Sequence, residues 1–172
     1  MTEVFRFQCG VCGEWHEGLP DLGFDAPLHY HQLSDEERDT VATKSSDLCT
    51  INDEDFFVRG VIEIPIQGRD DCFGIGAWVS LKEENFGRYV ELYDAEDPSG
   101  EGPYFGWLCN RIAGYRETIS LKTHLHLRPA PARPSIELEP TDHPLAVQQR
   151  DGIGLAEIQA LIERALHPED GD

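Results

Sequence analysis

Cys9 and Cys12 stand two residues apart, Gly10 and Gly13 punctuate the turn between and after them, and His16 follows. Zinc prefers about four tetrahedral ligands, and two thiolates across a tight turn supply two of them. The glycines let backbone amides turn toward the sulfurs. His16 is within reach as a third ligand, and Cys49 is the candidate for the fourth. The expectation is a structural Zn2+ site of Cys9, Cys12, His16 and Cys49. Two rival readings of the same thiols stand beside it. One is a redox dithiol, which lacks here the parallel strand–helix–strand setting such pairs occupy. The other is a pair of buried, unbound cysteines.

Other residues could carry chemistry of a different kind. His29 and His31 are alternative ligands, although beside Tyr30 in a loop they read as surface residues. Cys72 and Cys109 border or sit in apolar runs and read as small buried hydrophobes, with no evident partner base. Asp142 beside His143 could orient an imidazole or bind a metal. Thr141 and Asp142 are equally natural caps for a helix opening at Pro144. His124 and His126 share a strand face and read as solvent-facing. Glu63 interrupts an apolar run; buried, it would have a raised pKa and could act as an acid or base. Trp78, Trp107 and Tyr104 could line a pocket, though strand aromatics more often fill cores.

These residues need elements to hold them. Val4–Gln8 alternates and reads as a strand leading into Cys9. Residues 17–33 carry Pro20, Gly23 and Pro27 and read as an extended connection. Ser34 and Glu37 form a capping box that opens a helix running to about Lys44. Phe56–Ile66 and Phe73–Leu81 are rich in β-branched and aromatic residues and predict an antiparallel hairpin, with Gly60 as a bulge. In its second strand Phe73, Ile75, Ala77, Val79 and Leu81 share one face and Trp78 takes the other. An amphipathic helix is expected over Lys82–Tyr93 and an acidic loop over Asp94–Pro103. Strands follow at Tyr104–Ile112, Leu121–Arg128 and Ser135–Glu139. Helices follow at Pro144–Gln149 and Leu155–Leu166. The fold class is α+β: a mainly antiparallel central sheet flanked by three to four helices, with an N-terminal zinc-knuckle-like turn. Residues 1–166 read as a single domain, with 1–20 packed on it as a knuckle segment and 167–172 as a frayed tail.

Composition narrows the function classes. The chain has 172 residues, 33 of them Asp or Glu against 14 Lys or Arg, giving a formal charge of −19. Such a polyanion repels phosphate backbones, and no local basic patch offsets it, so nucleic-acid binding is not expected. No run approaches the ~20 apolar residues of a membrane span, and no secretory signal opens the chain. Five cysteines without such a signal point to a reduced, cytoplasmic setting.

Several of these segments occur together in one known order. Phe7–Pro20 carries the Cys-Gly-Val-Cys-Gly knuckle, Phe56–Pro65 and Trp78–Leu81 the hairpin, and Tyr104–Leu108 the aromatic strand. Arg133–Pro134 then leads to Glu139-Pro140-Thr141-Asp142-His143-Pro144-Leu145-Ala146. From about Phe5 to Leu166 the chain resembles the bacterial family catalogued as domain of unknown function number 2199. The resemblance implies a single-domain cytoplasmic protein of no established function. It implies a Cys-x2-Cys-Gly-x2-His element and a Cys at position 49 as family-typical residues, with no catalytic residues to carry over.

Three functional readings follow. The first is a zinc-stapled binding or adaptor domain that recognises a protein partner through its acidic surface or an aromatic patch. The second is a small hydrolase-type enzyme with Glu63, Asp142 and His143 around one cleft. The third is an acidic, immunity-like protein that neutralises a basic partner by charge complementarity.

Overall fold

The structure, a computed structural model, describes residues 6–18, 22–129 and 132–167. Val4 and Phe5 of the expected first strand, Pro20 of the connection and residues 168–172 of the expected tail lie outside these. The two β-rich runs form β6 (Asp55–Pro65) and β7 (Cys72–Leu81), antiparallel and in continuous register from Phe56↔Leu81 to Pro65↔Cys72. β8 (Tyr104–Leu108), β9 (Lys122–His126) and β10 (Ser135–Leu138) follow, each antiparallel to the strand before it. β10 then returns to β6, with Ser135 opposite Val61 and the Val61 amide donating to the Pro134 carbonyl at 2.9 Å.

The sheet is mainly antiparallel, as expected, but five of its strands close into a barrel, which the expected central sheet did not include. Five is an odd number, so strands that alternate in direction must meet in parallel at the closing pair. Gly60 makes that closure possible. It stays in register opposite Ala77 with no bulge, and a Cβ there would lie 2.8 Å from the Pro134 carbonyl oxygen and 2.9 Å from Ile136 Cγ1. The expected bulge is thus a close backbone approach.

β6 and β7 outrun their barrel partners, and flap strands use the surplus edge. β5 (Leu48–Ile51) pairs with the first part of β6, and β4 (Ala42–Lys44) pairs with β5. β3 (Leu22–Gly23) runs parallel to β7 at Ile75 and Gly76. A separate two-stranded hairpin joins β1 (Arg6–Gln8) and β2 (Trp15–Glu17).

Five α-helices occur among the described residues, more than expected: α1 (Leu28–His31), α2 (Asp35–Val41), α3 (Glu83–Glu91), α4 (Pro144–Asp151) and α5 (Leu155–Leu166). The additional α1 is a single turn inside the segment read as extended. The Ser34–Glu37 capping box forms, but α2 ends at Val41 because Ala42, Thr43 and Lys44 pair with β5. The acidic loop is opened by a 3-10 turn at Pro98–Gly100. No helix among the described residues is long and apolar enough to cross a membrane.

Strand alternation sorts the side chains into two cores. Phe73, Ile75, Ala77, Val79 and Leu81 face the main core with Ile62, Ile64, Leu125 and Ile136, and Leu145, Ile158 and Ile162 of α4 and α5 are buried in it too. Trp78, on the opposite face of β7 as expected, fills a second core with Cys49, Ile51, Phe57 and Cys109, packed against Tyr30, Leu33 and Val41.

Candidate metal centre

The Cys9–Cys12 turn lies at the tip of the β1–β2 hairpin. Cys9 N–H donates to the Glu14 carbonyl at 2.8 Å, and Gly13 N–H to the Cys9 carbonyl at 3.0 Å. Gly13 takes φ +76°, a left-handed conformation that a glycine adopts without steric cost. The Val11 amide approaches Cys9 Sγ at 3.4 Å. Burial opposes ionisation of the Cys9 thiol, but amides of Cys12 and Val11 and the Cys12 thiol outweigh it and hold its pKa below the ordinary value. The amides of the turn thus favour the ionised form of this thiol.

β2 turns His16 toward the same point, and its Nε2 lies 3.5 Å from Cys12 Sγ. The fourth ligand-type side chain of the group is His167, which follows α5. It caps α5 by donating its backbone N–H to the Glu163 carbonyl at 2.9 Å. The ligand atoms of Cys9, Cys12, His16 and His167 all lie within 4.8 Å of one another. A tetrahedral zinc with ~2.3 Å sulfur and ~2.0 Å nitrogen bonds would draw such atoms to about 3.3–3.8 Å. His167 Nε2 is buried and has no hydrogen-bond partner. A buried imidazole nitrogen without a partner is costly unless something coordinates it. The residues present therefore fit a metal ion.

The polar face of α5 secures the turn. Glu163 accepts from the Gly10 amide at 2.7 Å and from Gln159 Nε2 at 2.9 Å. Gln159 Nε2 also reaches the Gln8 carbonyl at 3.3 Å. The Gly10 amide, Gln159 and the nearby imidazoles of His167 and His16 hold the Glu163 carboxyl below its ordinary pKa.

Of the four expected ligands, the structure gathers Cys9, Cys12 and His16 and leaves Cys49 out. Cys49 lies on the buried face of β5 inside the second core, where burial pushes its thiol up to about 11. That is opposite to what a thiolate ligand needs. His167, read as part of a fraying tail, takes the fourth place.

The remaining candidates are occupied structurally. His143 caps α4: its Nδ1 accepts from the Leu145 amide at 3.1 Å, and its Nε2–H faces the Arg116 and Glu117 carbonyls at 3.2 and 3.1 Å. Asp142 is exposed and pairs with Arg116 at 3.4 Å. Glu63 accepts from Arg128 Nη1 at 2.8 Å. His124 and His126 pair with Glu139 and Glu137 of the neighbouring chain segment, each at 3.1 Å. Cys109 is buried and its thiol is pushed up to about 11, as for an unreactive cysteine. Cys72 is exposed, against the burial expected of it.

Residues 8–153 match the family described as an uncharacterized protein conserved in bacteria, domain of unknown function 2199. The chain belongs to that family. No curated protein and no solved structure matches it. The matched span contains Cys9, Cys12, His16 and Cys49 but stops short of α5, so His167 lies beyond it.

Proposed function

We propose that this protein is a binding module whose N-terminal hairpin is stapled to its last helix by a structural zinc ion held by Cys9, Cys12, His16 and His167. The observation that carries this reading is the cluster of ligand atoms of Cys9, Cys12, His16 and His167 within 4.8 Å of one another, together with the buried, unpartnered Nε2 of the His167 imidazole. Two thiolates balance the charge of Zn2+, and four protein donors leave no open position for a substrate, which is the pattern of a structural site. A three-residue, two-stranded hairpin is marginal alone, so a metal cross-link would matter most there. The binding role draws support from an exposed aromatic pair on β8. Phe105 and Trp107 are 39% and 43% exposed and meet edge to face at 5.1 Å. Shallow cavities of about 430 and 450 Å³ flank Trp107.

The test is zinc content of untagged protein, by elemental analysis, across single substitutions. The reading expects about one zinc per chain, lost in His167→Ala and Cys12→Ser and retained in Cys49→Ser. Zinc retained in His167→Ala, or absent from the unaltered protein, would refute it.

A further inference from the structure

The C-terminal end of α3, the segment before β5 and residues 127–128 and 132–134 between β9 and β10 line an open cavity of about 550 Å³. That volume suits a small molecule. Val61, Leu92, Leu127 and Pro134 give it apolar walls, while Tyr89, Arg128 and Arg133 bring hydrogen-bond donors.

Tyr89 is only 7% exposed, yet its hydroxyl makes no hydrogen bond among the described residues. The neighbouring Tyr93 hydroxyl, by contrast, donates to Asp47 at 2.8 Å. Burial, with Tyr93 and Asp47 close by, pushes the Tyr89 phenol well above its ordinary pKa, so it stays a neutral donor. A hydroxyl on the cavity wall, carried by a largely buried ring and without a partner among the described residues, is free to bond a ligand acceptor.

The two arginines are oriented but not used up. Arg133 Nε donates to Asp47 at 2.8 Å. Arg128 donates through Nη1 to Glu63 at 2.8 Å and through Nε to the Arg133 carbonyl at 2.7 Å. These bonds fix both guanidinium planes, and their remaining N–H groups have no partner among the described residues. Asp47 already accepts from Arg133, Tyr93 and Ser46, and these donors, outweighing its burial, keep its carboxyl below the usual range. It therefore has little capacity left for a cationic ligand. Asp94 also lines the cavity and disfavours heavily charged anions.

We propose that this cavity binds a small organic monocarboxylate. Arg128, Arg133 and the Tyr89 hydroxyl take the carboxylate, and the apolar body of the ligand lies on Leu92, Leu127 and Val61. Guanidinium forks suit a planar carboxylate, and charge-assisted bonds are the stronger kind. The site shares no residue with the Cys/His group, so it does not depend on the metal.

The test is calorimetric titration of the full chain, as purified, with 4-phenylbutyrate, its neutral amide and inorganic phosphate. The expectation is saturable one-site binding of the carboxylate, with the amide at least about tenfold weaker. Arg133→Gln weakens carboxylate binding about tenfold or more, and Tyr89→Phe about threefold to tenfold. Tyr89→Phe removes a hydroxyl that no described residue bonds, so its melting temperature stays unchanged and folding does not obscure the result. Equal binding of acid and amide, unchanged binding in both variants, or no saturable binding by ~10 mM would overturn the proposal. Phosphate binding more tightly than the carboxylate would overturn the head-group assignment.

Discussion

The β1–β2 hairpin and the closed barrel solve the same problem by different means. The barrel positions its strands through burial: Ile62, Ile64, Phe73, Ile75, Leu125 and Ile136 are all fully buried, and every barrel strand has a neighbour on each side. The hairpin has two three-residue strands, buried anchors in Phe7 and in Cys9 at its tip, and polar ties to α5. Its geometry converges instead on four metal-ligating atoms. The cysteines repeat the contrast. Cys49 and Cys109, packed with Trp78, are held as thiols, whereas the amides around Cys9 favour its thiolate. One residue type thus serves packing alone in one region and, in the other, joins a group that could hold a metal, where backbone amides favour the ionised thiol.

That contrast can be broken most severely at the metal. Cys12→Ser should lower zinc affinity by a factor of 100 or more, given the ~10–16 kcal/mol that structural zinc binding can supply. Hydrogen exchange should then rise across Arg6–Glu17 and the end of α5 while the barrel strands stay protected. Exchange rising equally in β6 and β7 would show that the two regions are not separable.

The barrel should fail in the opposite way. Phe73→Ala removes a fully buried ring and should cost about 3–5 kcal/mol in denaturant unfolding. The folded fraction should keep its full zinc content. Gly60→Ala drives a methyl group into the Pro134 carbonyl at the closing pair and should cost about 1–3 kcal/mol.

Alkaline pH sharpens the comparison between the cysteines. The thiols of Cys49 and Cys109 stand at about 11 in the fold against 9.0 ordinarily. Between those values the unfolded chain releases protons that the folded chain retains, so stability falls as pH rises. The contribution is fully present below pH 9 and lost as pH passes through 11. Cys49→Ala should flatten the decline seen in urea unfolding at pH 8 to 10.5 without removing zinc. The smallest effect belongs to the α2 cap: Ser34→Ala should cost about 1 kcal/mol and leave both regions intact.

Local chemistry made much of this legible in sequence. The Ser34–Glu37 box, the β6–β7 hairpin, the sidedness of Trp78 and the span of α5 all follow from patterns within a few residues. So does the Cys9–Cys12–His16 turn. The unread parts join distant segments. Barrel closure rests on Ser135 meeting Val61, and no local pattern encodes that contact. Gly60 was visible, but a bulge and a close approach place the same demand on sequence. His167 lies too far from His16 for spacing to carry information. One signal was present: Gln159, Glu163 and His167 recur every four residues on the polar face of α5, and the first two touch the knuckle turn. Cys49 was drawn in by residue type and by the family pattern, while the alternation of β5 turns it into the second core.

The most direct test of the metal assignment is X-ray absorption at the zinc edge on the purified full chain. The account predicts two sulfur neighbours at ~2.3 Å and two imidazole nitrogens at ~2.0 Å, with one nitrogen lost or replaced in His167→Ala. Three sulfur neighbours, or a first shell unchanged by His167→Ala, would contradict it.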